Sequence, residues 1–168
     1  MRERLPERVV SGGQTGVDRA ALDVALALGR PCGGWCPKGR LAEDGTIPDR
    51  YPLVETPSDE YPQRTEWNVR DSDGTLILYR GALRGGSALT ATLAESYRRP
   101  LLTIDLKSSP DAAAIRSWIA ANRIRTLNVA GPRSSDSPRL YARAARLLRE
   151  VLAHDDGVEQ GARSAPTS

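Results

Sequence analysis

Short apolar runs alternate with amphipathic stretches along most of the chain, and this alternation constrains the fold more than any other feature. Three apolar runs, 75–79, 101–105 and 126–130, have the length of strands, and a shorter one ends at Ser11. The stretches between them have apolar residues at helical spacing, most clearly over 140–151. Parallel strands need a crossover, which these helices supply. The pattern predicts an α/β fold, a Rossmann-like three-layer αβα sandwich with a mostly parallel sheet.

Capping residues and composition predict several boundaries between elements. Ser109 and Ser137, each followed by proline, are typical of an N-cap with proline at the first helical position. A polar helix is predicted from about 64 to 70. The segment 32–61 is rich in glycine, proline and charge, and we expect a loop there with one short strand at 52–55. A loop of this length inside a compact domain is often functional.

The length of 168 residues and a hydrophobic content of 39% suit one domain with a substantial core. We expect this domain to span 1–153. Residues 154–168 have no apolar period, and we expect a disordered C-terminal tail. No run approaches the roughly 18–20 apolar residues that span a bilayer, and the charged start leads into no signal segment. The sequence therefore predicts a cytoplasmic protein with no membrane partner.

Charge and cysteine content limit the possible partners and cofactors. The net charge of +3 arises from 24 basic and 21 acidic residues scattered along the chain, which permits an anionic ligand without favouring nucleic acid. Two cysteines and one histidine are too few for a zinc site of four Cys or His ligands. We expect no zinc and no metal-ligating set, and both thiols should be reduced.

Glycine-containing turns follow three of the predicted strands and precede predicted helices. A helix start presents unpaired N–H groups and the positive end of a dipole, and glycine lets an oxyanion approach the backbone closely. The carboxyl ends of parallel strands share one edge of the sheet, so these turns predict a site for a phosphate- or oxyanion-bearing small ligand. The alternative is that the glycines only permit tight turns. The residues assigned to the ligand site from these turns are Gly12, Gly13, Gln14, Thr15, Gly16, Gly85, Gly86, Ser87, Gly131, Arg133 and Ser134.

None of these turns has the GxxxxGK pattern followed by Ser or Thr of a phosphate loop, or the GxGxxG dinucleotide fingerprint. We therefore expect neither an ordinary ATPase nor an NAD enzyme. Asp18, in the first turn of a predicted helix, either accepts hydrogen bonds from a ligand or stabilises the helix start. Lys38 and Arg40, in the long loop, are predicted anion contacts.

The polar helix before the run at 75–79 supplies further candidates. Arg64 and Arg70 can clamp a phosphate, Asn68 can bind a base or sugar edge, and Trp67 can stack on a base. The alternative is an amphipathic surface helix whose Trp67 packs inward. If chemistry follows binding, the candidate catalytic residues are Glu66, Arg64 and Glu95, the last on the next helix.

The order of these motifs resembles the family of putative molybdenum carrier proteins over roughly residues 8–150. This resemblance implies a Rossmann-like fold of the SLOG superfamily and a site for molybdate, a molybdenum cofactor or another nucleotide-like ligand. It also implies a homodimer, and it adds Thr90 to the ligand site. The motifs that carry it are SGGQTGVDRAALD at 11–23, GGWCPKGR at 33–40, EDG at 43–45, RTEWNVRDSD at 64–73 and GGSALT at 85–90.

The same superfamily contains the lonely-guy phosphoribohydrolases and the DNA-processing protein A group. The hydrolases have a PGGxGTxxE motif, whereas 85–90 lacks the glycine before Thr90 and position 93 is leucine. A carrier or ligand-binding protein is therefore our first hypothesis. A nucleotide hydrolase that cleaves an N-glycosidic or phosphoester bond is the second, and a single-stranded DNA binder the third.

Overall fold

The computed structural model describes residues 5–153, and the tail predicted at 154–168 lies outside them. Nine short strands and five helices form within this range, and their order confirms the predicted α/β class. In chain order the elements are β1 (Arg8–Val10), α1 (Val17–Ala27), β2 (Cys32–Gly33), β3 (Trp35–Cys36), β4 (Leu41–Ala42), β5 (Gly45–Thr46), β6 (Val54–Glu55), α2 (Tyr61–Arg70), β7 (Gly74–Tyr79), α3 (Gly85–Ser96), β8 (Leu101–Asp105), α4 (Ala112–Ala121), β9 (Thr126–Ala130) and α5 (Leu140–Leu152).

The central sheet has five parallel strands in the order β2-β1-β9-β7-β8. The last strand of the chain, β9, therefore lies in the middle, with β1 on one side and β7 on the other. If the sheet strands are numbered from β9 onwards, the order becomes 3-2-1-4-5, which is that of a Rossmann fold. The order reverses between β9 and β7. In such sheets a ligand binds outside the carboxyl ends of the strands at this reversal.

Helices cover the sheet as the sandwich prediction requires. On one side α1 packs against α5 and α5 against α4, while α2 and α3 pack against each other. Leu76 and Leu78 alternate along β7 and join a buried core with Val129 of β9 and Leu148 and Val151 of α5. Burial of each such side chain contributes about 1.5–3 kcal/mol. No helix within residues 5–153 is long and apolar enough to cross a membrane.

The segment predicted as a loop between 32 and 61 is held together by short strands and by one arginine. It contains β2 to β6, each two residues long, and a small buried cluster that it shares with Leu22 of α1. The Arg40 guanidinium donates hydrogen bonds to four backbone carbonyls of the segment, at distances of 2.9–3.2 Å. Arg40 therefore holds this segment together, and the prediction that it also contacts an anion stays untested. The four acceptors belong to Ile47, Pro48, Tyr51 and Leu53.

Three predicted helix boundaries are wrong. Helix α2 begins at Tyr61 rather than near 64. The N-cap of α4 is Asp111 rather than Ser109, because the Asp111 carboxylate accepts a hydrogen bond from a backbone N–H two residues further on at 2.9 Å. The N-cap of α5 is Arg139, because Ser137 lies in a preceding turn. The third glycine-containing turn is therefore separated from its helix by several residues.

Candidate functional site

A cleft of about 1020 Å³ opens at the carboxyl edge of the sheet, where the strand order reverses. Residues 128–131, at the end of β9, line it together with residues 80–82, which follow β7. Parts of α2, the start of α3 and the loop that follows β9 also contribute to the lining. A volume of this size is typical of sites for small molecules and cofactors.

Most of the predicted ligand residues line this cleft, although ligand binding by any of them stays a prediction. Those that line it are Gly12, Gln14, Asp18, Arg64, Asn68, Gly85, Gly86, Ser87, Thr90, Gly131 and Arg133. Those outside its lining are Gly13, Thr15, Gly16, Lys38, Arg70 and Ser134.

The start of α3 is open to the cleft. Its N-cap, Arg84, makes no side-chain capping hydrogen bond, and there is no acidic residue in the first turn. A Cβ added to Gly85 or Gly86 would meet no heavy atom within 4 Å. Ser87 is buried in the first turn, and the Thr90 hydroxyl donates to the Gly86 carbonyl at 2.8 Å. The backbone at this helix start therefore has room for an anion beside it.

The first glycine-containing turn, before α1, is closed by the protein itself. The Gln14 N–H donates to the Asp18 carboxylate at 3.2 Å, and the Val17 N–H donates to the Pro132 carbonyl at 3.4 Å. Gly16 has a φ of +84°, and a Cβ there would lie 2.5 Å from the Pro132 oxygen. A Cβ at Gly13 would clash with a side chain of the neighbouring segment. The alternative interpretation, that glycine permits a tight turn and close packing, accounts for these two positions.

A carboxylate that the sequence analysis did not single out, that of Glu43, covers this turn. It accepts hydrogen bonds from the Thr15 hydroxyl, from the Ser135 hydroxyl and from the Ser135 N–H, the last at 3.1 Å. The Arg133 guanidinium lies 3.6 Å away. The hydrogen bonds from Ser135 and Thr15 lower the pKa of Glu43. The signal that could have identified it is its place in the EDG motif, which had no assigned function.

A buried ion pair lies in the wall of the cleft. Arg64 is 8% exposed, and its Nη1 donates to the Gly12 carbonyl at 2.9 Å and lies 4.0 Å from Asp18 Oδ2. Burial raises the pKa of Asp18 to about 6, and the Arg64 charge only partly opposes this. Asp18 therefore holds its proton to a higher pH than an exposed aspartate does.

Three cations of the cleft, Arg80, Arg84 and Lys107, were not predicted. None of them pairs with a carboxylate within 4 Å among the residues that the structure describes. Arg80 directly follows β7, and Lys107 comes two residues after β8. Their place just after strands at the binding edge is the signal that could have identified them. Together they give the cleft a positive potential that attracts anions.

The two glutamates proposed as catalytic candidates lie away from the cleft. Glu66 accepts a hydrogen bond from the Tyr97 hydroxyl at 2.8 Å and so joins α2 to α3. Glu95 is exposed near the end of α3. Neither lines the cleft, and of the three catalytic candidates only Arg64 does.

The remaining polar candidates of α2 make structural contacts. Asn68 lines the cleft, but its amide donates to and accepts from the backbone of Trp35 at 2.9 and 2.8 Å. Trp67 packs edge to face on Trp35, with ring centroids 4.8 Å apart, and the Arg70 guanidinium lies over the Trp67 ring, 4.6 Å from its centroid. Trp67 lies outside the lining of the cleft, and its stacking on a base stays a prediction. Lys38 is exposed on the neighbouring segment.

The cleft has the donors that an oxyanion needs and lacks those of a metal cation. Within residues 5–153 no group of three or more His, Cys, Asp or Glu side chains could hold a metal ion. Burial raises the pKa of both thiols, Cys32 and Cys36. Backbone N–H groups and guanidinium groups suit molybdate or a phosphate group instead.

Comparison with known proteins agrees with this architecture. The model of the circularly permutated YpsA SLOG family matches residues 9–152. The crystal structure of a protein named "Putative molybdenum carrier protein" from Syntrophus aciditrophicus SB superposes with a TM-score of 0.86 at 50% sequence identity, covering 88% of this chain and 95% of that one. No protein of curated function matches the chain. The 3-2-1-4-5 order obtained by numbering from β9 fits a permuted Rossmann sheet. The chain belongs to the circularly permutated YpsA SLOG family.

Proposed function

We propose that this chain is a carrier that binds a phosphate-bearing heterocyclic small molecule in the main cleft, with the molybdenum cofactor as its cargo. The observation that carries this proposal is the open start of α3, which faces a cleft with unpaired cations. The name of the Syntrophus relative, a molybdenum carrier, supports the choice of cargo.

The ligand's phosphate binds at the start of α3. The helix dipole and the unpaired N–H groups favour a negative charge there, and the absence of a side chain at Gly86 lets the phosphate reach the backbone. Arg84, Arg80 and Lys107 supply positive charge around the same position. Charge-assisted hydrogen bonds from such groups are about twice as strong as neutral ones.

The size of the cleft favours a phosphorylated heterocycle over bare molybdate. A tetrahedral oxyanion would contact only a small part of a volume of about 1020 Å³. A pterin or a nucleoside attached to the phosphate would extend along the wall formed by Tyr61, Thr65 and Leu89, which offers both apolar and polar contacts. The molybdenum would then be carried as part of the cofactor, without direct protein ligands.

The test is calorimetric titration with AMP, molybdate and sulfate, using AMP as the available phosphorylated heterocycle. We expect AMP to bind more tightly than either inorganic anion and to raise the unfolding temperature with increasing concentration. Arg84→Gln should weaken AMP binding about tenfold. The matched control is Arg146→Gln, because Arg146 is an exposed arginine of α5 outside the cleft. If AMP neither binds nor stabilises the protein, the proposal is wrong.

One observation favours a second function, hydrolysis of a nucleotide's N-glycosidic bond. Asp18 lines the cleft beside Arg64, and its pKa of about 6 suits a group that donates a proton near neutral pH. In this reaction the bond between the ribose and the base breaks, and Asp18 gives its proton to the leaving base. The water that adds to the ribose carbon loses a proton, which returns to Asp18. Incubation with AMP would then release adenine and ribose 5-phosphate, and Asp18→Asn would abolish the release. A wild-type protein that binds AMP without releasing adenine is a carrier only.

A further inference from the structure

A second cavity, of about 360 Å³, adjoins the main cleft at the carboxyl edge of the sheet. The two share Arg80, Asp136 and Ser137 in their linings, so a ligand can extend from one into the other. The far side of the second cavity is formed by the start of α5, with Arg139 and Arg143.

The charges around this cavity are mostly unpaired. Its acidic residue, Asp136, pairs with the Arg133 Nε at 3.0 Å, and Arg133 also lies 3.6 Å from Glu43. The side chains of Arg80 and Arg139 make no hydrogen bond or ion pair within the described part of the chain. Arg143 makes one hydrogen bond, from Nη1 to the Leu106 carbonyl at 3.3 Å. Three guanidinium groups thus surround the space, whereas Asp136 is, among the described residues, the one carboxylate in its lining and Asp105 acts on Arg80 from outside it.

Two of these arginines lie where their charge is unfavourable for the helix to which they belong. Arg139 is the N-cap of α5, and Arg143 lies one turn later; the first turn has no acidic residue and no side-chain cap. Cations near a helix N-terminus are unfavourable because they face the positive end of the dipole. An anion in the cavity would turn this unfavourable arrangement into a favourable one.

We propose that the second cavity binds a tetrahedral oxyanion at the far end of the ligand, so that the ligand is anionic at both ends. This inference rests on the proposed function, in which the near end of the same ligand is a phosphate held at α3. A second phosphate and a molybdenum oxyanion share the required chemistry, since both are compact groups with several acceptor oxygens. The site therefore selects ligands with two separated anionic groups over nucleoside monophosphates.

The experiment compares two titrations in which one oxyanion is added to AMP. In the first, adenosine 3′,5′-bisphosphate replaces AMP, and we expect it to bind at least about tenfold more tightly. In the second, molybdate is titrated into protein already saturated with AMP, and we expect saturable binding that does not displace AMP. A gain in the first identifies a phosphate as the far group, and binding in the second identifies molybdate.

Both titrations are repeated on Arg139→Gln/Arg143→Gln, with Arg146→Gln as the matched control on the same helix. The double variant should lose the gain from the second oxyanion and keep the affinity for AMP, while the control behaves as wild type. Arg139→Gln alone should reduce the affinity gained from the second oxyanion about threefold. This single variant keeps the test valid if the double variant folds poorly, because the Arg139 side chain has no hydrogen bond to lose within residues 5–153.

Two failures are distinguishable. If wild-type protein does not bind AMP at all, the proposed function is wrong, and the proposal of a second site, which rests on it, is wrong as well. If AMP binds normally but neither titration shows a gain, or if the gain survives in the double variant, the second site alone is overturned.

Discussion

The Glu43 carboxylate accepts a hydrogen bond from the backbone N–H of Ser135 at 3.1 Å, and a second from the Ser135 hydroxyl. This contact ties the β4–β5 hairpin to the loop that follows β9, directly above the turn before α1. The turn therefore already has an anion, supplied by the chain, whereas the start of α3 has none. Two glycine-containing turns thus differ in their surroundings: the first is packed against the loop that follows β9, and the second faces the cleft with no carboxylate of the described residues bound to it.

Glu43→Gln should destabilise the protein slightly. Glutamine keeps the shape but removes the charge that accepts three hydrogen bonds, and because the site is exposed we expect a loss of less than about 1 kcal/mol. The pKa of Glu43 is lowered in the folded state, so its contribution is present above the unfolded pKa of about 4.3 and is lost as the pH falls through the folded value. Urea unfolding at pH 7 and pH 3 checks this. If Glu43→Gln lowered the unfolding free energy equally at both pH values, the stabilising role of the Glu43 charge would be contradicted.

Gly86→Ala should separate stability from binding. An added Cβ meets no heavy atom, and alanine in a helix is about 0.5–1 kcal/mol more favourable than glycine, so the unfolding temperature should be unchanged or higher. The same methyl group would occupy the space for the phosphate, and AMP affinity should fall about tenfold or more. Gly16→Ala is the contrasting variant, because its φ is +84° and it should destabilise the fold. AMP binding by Gly86→Ala equal to wild type would exclude a phosphate at α3.

Two lysine variants test where the anion binds. Lys107→Gln should weaken AMP binding about threefold to tenfold, because Lys107 lines the main cleft and has no carboxylate within 4 Å among the described residues. Lys38→Gln should leave the affinity unchanged, because Lys38 is exposed and lies outside the lining. Calorimetry at low and high salt measures both. The reverse order of effects would restore the sequence-based assignment of Lys38.

Asp18 should make the protein less stable as the pH rises. Its folded pKa of about 6 lies above the unfolded value, so the folded state binds more protons between about pH 4 and pH 6, and the unfolding free energy falls across this window. The loss is on the order of 3 kcal/mol, since one pKa unit corresponds to about 1.4 kcal/mol. Asp18→Asn should remove this dependence. Urea unfolding at pH 4, 6 and 8 is the measurement, and an unchanged pH dependence in the variant would contradict a buried carboxyl with a raised pKa.

The fold was predictable because the lengths of the apolar runs and the spacing of apolar residues between them indicate the strands and helices. The runs at 101–105 and 126–130 are strands at those bounds, and the run at 75–79 starts one residue earlier, at Gly74. Helix starts were less predictable, because a local N-cap signal such as Ser109 or Ser137 competes with the turn that tertiary contacts impose. The middle position of β9 was not predicted, since strand order depends on contacts between distant segments.

The candidate site was predictable where glycine marks a turn at the end of a strand. Gly12, Gly86 and Gly131 do line one cleft. Side-chain direction was not predictable: Arg40 and Arg64 both donate to backbone carbonyls, yet only Arg64 also lines the cleft. Ligand binding, the homodimer and the cytoplasmic location stay predictions.

The most direct test of the central claim is native mass spectrometry of the protein purified without chelator from cells grown with molybdate, combined with elemental analysis for molybdenum and phosphorus. We predict that wild type retains a small molecule containing both elements and that Gly86→Ala retains far less. Wild-type protein that carries neither element, and that gains no mass when AMP is added, would contradict the account of the cleft as a carrier site.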